Sequence, residues 1–151
     1  MKPSPFKKWK RPDCLIKFEV PETDFLDWLV SKARAHAMRD LARGRDVAVP
    51  QYKQAIIVAV MESKGYDFYT GEILDWALIR KWNNEEAKRG GGEYRKRFWN
   101  LPTVVRDHDQ AGLPVFRLCS WRMNDAKNDQ TLHEFLDLAA KVKKHRGKML
   151  R

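Results

Sequence analysis

At Gly90-Gly91-Gly92 the hydrophobic pattern of this chain changes period. Three consecutive glycines carry too high a backbone-entropy cost to sit inside a helix or strand, so they act as a break. Before them, apolar residues recur mainly at helical spacing. After them, they first alternate and then return to helical spacing. A chain divided in this way has to build its core from helices on one side and a hairpin on the other, which is an α+β arrangement.

Upstream of the break, Phe25, Trp28, Leu29, Ala33, Ala37 and Leu41 mark one face of a helix from Thr23 or Asp24 to about Gly44. Pro50 opens a second helix to about Lys64, apolar through its middle, and Gly65 closes the hairpin. Cys14 to Val20 alternates and reads as a short strand stopped by Pro21. Tyr66 to Tyr69 reads as extended, Thr70-Gly71-Glu72 as a turn, and Ile73 to about Lys88 as helical. Downstream, Thr103 to Arg106 and Val115 to Trp121 read as strands around a loop holding Gly112. Thr131 opens a final helix with Glu134 three residues on, which is a capping box. Leu132, Phe135, Leu136, Leu138, Ala139 and Val142 supply its apolar face. The expected organisation is a basic tail over 1–13, a strand and helical hairpin over 14–65, a core over 66–146 and a second basic tail over 147–151.

Charge narrows the partner. Thirty Lys and Arg against twenty Asp and Glu give a net charge of +10 over 151 residues. Basic residues thicken in the N-terminal MKPSPFKKWKR, in Lys88 to Arg97 and in Lys141 to Arg151. Three such runs point to a polyanion, with nucleic acid ahead of an anionic membrane. Trp9, inside the first run, suits either stacking on a base or packing on the core. The longest apolar run, Ala55 to Met61, is too short to cross a bilayer. The basic N-terminus is followed by no apolar segment of signal-peptide type. Two cysteines, Cys14 and Cys119, exclude a disulfide framework and a four-cysteine zinc site. They read as small buried hydrophobes in a reducing cytoplasm, and His36 and His145 read as solvated.

Chemistry concentrates between Pro102 and Phe135. Asp107-His108 ends the first strand, and Asn124 falls seventeen residues after Asp107, where a helix follows the second strand. Hairpin geometry brings those two ends close. A carboxylate and an amide oxygen are hard ligands suited to Mg²⁺ or Mn²⁺. A histidine beside them takes a proton from water near neutral pH. Lys127, one helical turn after Asn124, is a candidate hydrogen-bond donor to a phosphate, as are Arg106, Arg117 and Arg122.

This block resembles the ββα-metal core of the HNH endonuclease superfamily. The matching features are Asp107-His108, the CSWRMN sequence leading into the helix, N-x-x-K at Asn124 and Lys127, Asp129, and T-x-x-E-F from Thr131 to Phe135. Tyr69-Thr70-Gly71-Glu72-Ile73-Leu74 is similar to a TG-x-x-L stretch that often precedes that core in phage and bacterial members. The resemblance covers roughly residues 66–140. It implies a C-terminal HNH-like core carrying an N-terminal helical extension, and hydrolysis of DNA that leaves a 5′-phosphate and a 3′-hydroxyl. His108 is then the general base, Asp107 and Asn124 hold one Mg²⁺ or Mn²⁺, and Lys127 is a phosphate-facing or structural residue. Asn128 is the alternative ligand to Asn124, because family members vary this spacing. Three departures stand out. The family's middle asparagine is replaced by the Leu113-Pro114-Val115 region. With Cys119 alone nearby, no structural zinc is expected. Arg106 occupies a usually apolar position, so it either points outward to a phosphate or marks a register one residue off. The resemblance also implies the cytoplasm of a bacterium or a phage-infected host. One core cuts one strand, so the oligomeric state stays open and a dimer is one way to cut both. The rival expectation is a non-catalytic basic nucleic-acid-binding module with a degenerate HNH fold.

Overall fold

A computed structural model of the chain describes residues 9–45, 48–81, 93, 96–107 and 114–147. Helices α1 (Glu22–Ala42) and α2 (Val49–Ser63) form a hairpin. Strands β1 (Pro102–Arg106) and β2 (Phe116–Ser120) pair antiparallel. Helix α3 (Trp121–Lys127) follows β2 directly, and α4 (Leu132–Arg146) comes last. Two 3₁₀ helices, Asp13–Phe18 and Trp76–Arg80, complete the described elements. Among the described residues, no helix is long and apolar enough to cross a membrane.

The hairpin forms where the apolar spacing places it. Glu22 and Asp24 sit in the first turn of α1, where acidic side chains suit the helix dipole. Pro50 lies in the first turn of α2, where its missing N–H costs nothing. Phe25, Trp28, Leu29 and Ala33 of α1 bury against Tyr52, Ile56, Ala59 and Val60 of α2. Lys64 and Gly65 then turn the chain at φ 56° and 87°. A β-carbon on Gly65 would come within 2.8 Å of a Phe18 ring carbon, so both its backbone angle and its surroundings require glycine.

Cys14 to Val20 is not a strand. Asp13–Phe18 is a 3₁₀ helix that drives Leu15 into the core and leaves Ile16 exposed. A few alternating apolar residues satisfy a 3₁₀ turn as well as a strand, and the sheet edges are already engaged. The outer edge of β2 receives the Phe68 N–H at its Leu118 carbonyl (2.8 Å). On the outer edge of β1, Trp28 Nε1 donates to the Pro102 carbonyl and His36 Nε2 to the Val104 carbonyl, both at 3.1 Å. Pro102, with no N–H, costs nothing on such an edge. Downstream of the Tyr66–Ile73 bridge, the expected helix from Ile73 is a 3₁₀ helix over Trp76–Arg80, with its later part and the glycine triplet outside the described residues.

Strand alternation sorts the sheet. Val104, Phe116 and Leu118 join the hairpin core, so Thr103, Val105, Arg117 and Cys119 face the other way. His36 is not solvated: its ring packs 4.7 Å from that of Phe116, and burial pushes its pKa down to about 4. Trp9 packs on the core with Lys53 above its ring. Thr131 caps α4 as its T-x-x-E sequence predicts, accepting from the Glu134 N–H at 3.1 Å. No α4 residue is buried, and Leu136, Leu138 and Val142 are each more than half exposed.

Two outcomes follow from this packing. Gly65→Ala should lower the unfolding free energy by more than about 1 kcal/mol in urea titration, since both backbone and space oppose it. Folded His36 stays neutral to about pH 4, while the unfolded chain protonates it near 6.5. Stability should therefore fall as pH drops through that window, and Tm measured against pH should fall less steeply in His36→Phe.

Candidate active site

Asp107 sits one rung beyond β1, and its N–H donates to the Val115 carbonyl at 2.7 Å, extending the ladder. Its carboxylate is held by Arg117 of β2, with Nε and Nη2 both 3.0 Å from Oδ2. The same guanidinium reaches Glu62 of α2 at 2.8 Å and lies over the Phe68 ring at 4.6 Å. The structure thus brings Asp107 and Arg117 together as an ion pair. His108, the residue after Asp107, lies outside the described residues, as do Asp109 and Leu113.

Asn124 is placed by the start of α3. Ser120 caps the helix, its hydroxyl accepting from the Met123 N–H at 3.0 Å. The N–H of Ser120 donates to Oδ2 of Asp67 at 2.8 Å, and Oδ1 of the same side chain accepts from Tyr69 and Thr70 at 2.8 and 3.0 Å. Asp67 is 2% exposed and pins the Thr70-Gly71 turn onto the junction of β2 and α3. Sequence reasoning passed over it, although an Asp opening D-F-Y-T-G is a recognised turn former that binds backbone two residues on. Asn128 ends α3 with φ 51°, a conformation asparagine tolerates better than most residues, so it has a backbone reason for its identity.

Lys127 does not face a phosphate. It is 1% exposed, its ammonium donates to the Gln130 carbonyl, and it lies 5.8 Å from the Tyr69 ring centre. Three residues after the cleft-lining Asn124, Lys127 turns inward and holds the C-terminal end of α3.

Arg106 does not point outward either. It pairs with Phe116 across the sheet, so it shares the inward parity of Val104. Its guanidinium forms an ion pair with buried Asp40 of α1, which also accepts from the Tyr52 hydroxyl. Burial alone would raise the Asp40 pKa. Hydrogen bonds from Tyr52 and Arg106, with the Arg106 charge, outweigh it and hold the carboxyl below its ordinary range. Burial and the Asp40 carboxylate together push the Tyr52 hydroxyl up to about 12. The sequence signal was present: Asp40 lies seven residues after Ala33 on the apolar side of α1, and Arg106 stands at an apolar strand position.

Arg122 is different. It meets Glu72 at 3.5 Å with both side chains about half exposed, and it lies over the Trp99 ring at 5.1 Å. A surface pair of this kind contributes at most about 1 kcal/mol, so Arg122 can exchange Glu72 for a phosphate. Arg106 cannot, because breaking a buried pair costs about 3–5 kcal/mol.

A cleft of about 380 Å³ opens between α1, the outer edge of β1 and α3. Asn124 and Asn128 line one wall, and Lys32, Arg39 and Arg43 line the other. Burial, then the Arg39 charge, pushes the Lys32 pKa down to about 8. Asp107 is not part of the cleft lining.

Asp107 and Asn124 offer oxygen donors that fit a hard divalent cation, though Arg117 already engages the Asp107 carboxylate. Among the described residues, no three His, Cys, Asp or Glu side chains converge as a cation site. Cys119 is buried, and burial raises its thiol pKa, as expected of an inert packing residue. No family model matches this chain, and neither a curated protein nor a solved structure shows significant similarity to it.

Asp40→Ala should cost about 3 kcal/mol or more in chemical denaturation, because it strands the Arg106 charge in the interior.

Proposed function

We propose that this protein is a divalent-metal-dependent endonuclease that hydrolyses DNA phosphodiester bonds with an HNH-like core over β1, β2 and α3. One observation carries the reading: two antiparallel strands run directly into a capped helix, with Asp107 one rung beyond the first strand and Asn124 one turn into the helix. The net charge of +10 supports a polyanionic substrate. Arg122, half exposed and weakly paired, supplies a cation for its phosphates.

Asp107 and Asn124 would hold one Mg²⁺ or Mn²⁺, which when bound neutralises charge developing at the phosphate. His108, adjacent to Asp107, takes a proton from the attacking water. The water oxygen bonds to phosphorus as the bond from phosphorus to the 3′-oxygen breaks. Solvent protonates the departing oxygen, and the products are a 5′-phosphate and a 3′-hydroxyl.

A second reading draws on the Arg117 contact. A guanidinium 3.0 Å from the Asp107 carboxylate suits a core that binds nucleic acid without cutting it.

A nicking assay separates the two. Supercoiled plasmid should be nicked with Mg²⁺ or Mn²⁺ and left intact with EDTA, and His108→Ala should slow nicking by about 100-fold or more. A salt-sensitive gel shift with no cleavage in either metal would favour the binding module. Cleavage unchanged in His108→Ala would overturn the assignment of the base.

A further inference from the structure

We infer that the cleft between α1 and α3 binds consecutive phosphates of one nucleic-acid strand through Lys32, Arg39 and Arg43. The inference rests on DNA as the substrate and extends its binding site to the helical hairpin, outside the strand–strand–helix core.

The three cations fall at i, i+7 and i+11 along α1 and its C-cap, Arg43, which places them within about 40° of one another around the helix axis. They span about 16 Å along that axis, enough for several phosphates at one per about 3.4 Å of duplex per strand. All three line the same cleft, whose volume is in the range of ligand sites. Among the described residues, no side-chain hydrogen bond or ion pair neutralises any of them. The inward-turned arginine at the back of the cleft behaves oppositely, since Arg106 is matched by Asp40.

Their arrangement carries an electrostatic cost. Lys32 is destabilised as a cation by burial and by Arg39. A phosphate between them supplies an opposite charge that offsets both effects. The facing wall directs where such an anion sits, because Asp125 and Asp129 repel it from α3 and towards α1. The strand then lies with its phosphates on α1 and its other edge along Asn124.

The test is fluorescence anisotropy with a labelled DNA duplex in EDTA, using the full chain, between 50 and 200 mM salt. Arg39 and Arg43 are exposed, so Arg39→Gln with Arg43→Gln should fold, as circular dichroism melting checks. That double variant should weaken binding about tenfold or more and reduce the slope of log K against log salt by about 2, near 0.9 per lost contact. Adding Lys32→Gln should reduce the slope further. Arg34→Gln with Lys81→Gln, which removes two exposed charges outside the cleft and outside the basic runs, should change it by less than half as much. An unchanged slope in the cleft variants, or an equal loss in the control, overturns the inference while leaving nicking by the parent as a separate result. Cleft-dependent binding without metal-dependent nicking keeps the inference and overturns the nuclease. A parent that binds no DNA overturns both.

Discussion

The carboxylate of Asp67 holds the candidate site in place. A buried carboxylate with no partners is costly, and this one is satisfied by three backbone N–H groups, those of Tyr69, Thr70 and Ser120. Ser120 is at once the last residue of β2 and the cap of α3, so one side chain fixes a turn, a strand end and a helix start. Helix α3 is seven residues long, far below the length at which a helix persists alone in water. Its place comes from outside: from Asp67 through Ser120, from the Trp121 N–H on the Leu101 carbonyl, and from Lys127 buried at its far end. The direction in which Asn124 projects is therefore set by a turn far upstream in sequence.

Asp40 does the corresponding work on the other face. It ties α1 to β1 through Arg106 and to α2 through Tyr52, so the hairpin and the sheet share one buried polar cluster. Residue type says little here, and burial of the partner decides the role. Arg106 is structural because its carboxylate is interior. Arg122 is exchangeable because Glu72 is at the surface. Arg117 stands between them, holding an acid from the sheet and an acid from α2 against an aromatic ring.

The elements that were legible are those with a strong local signal. Helical spacing marks α1 and α2, the capping box marks the start of α4, and alternation marks β1 and β2 to within a residue or two. The α+β class follows from them. Illegible were the features that depend on which face is covered. A short polar helix such as α3 has no apolar stripe to show that Lys127 is inside. The five or so alternating residues after Asp13 carry too little period to separate a strand from a 3₁₀ turn. His36 looked solvated because its burial comes from Phe116, eighty residues away in sequence. Asp107 and Asn124 were legible from sequence as candidates. The Arg117 grip on Asp107 was not, because only register shows that the two lie on one sheet face.

The cationic side of α1 bears on what the hairpin is for. Covering the sheet needs only the stripe of Phe25, Trp28, Leu29 and Ala33, which packs on α2 and the strands. Neutral residues at positions 32, 39 and 43 would cover it equally well, without the burial and repulsion that lower the Lys32 pKa. Local arrangements that work against stability tend to sit where function needs them. The polar pairs elsewhere in the interior follow the opposite rule: Asp67 and Asp40 are fully matched, and the arginine beside the cleft is neutralised. Against the matched Asp67 and Asp40, three cations aligned on one cleft wall are the arrangement that the proposed anion would complement. Because Asn124 forms the facing wall, that anion and the candidate metal ligand would address the same strand in the proposed complex.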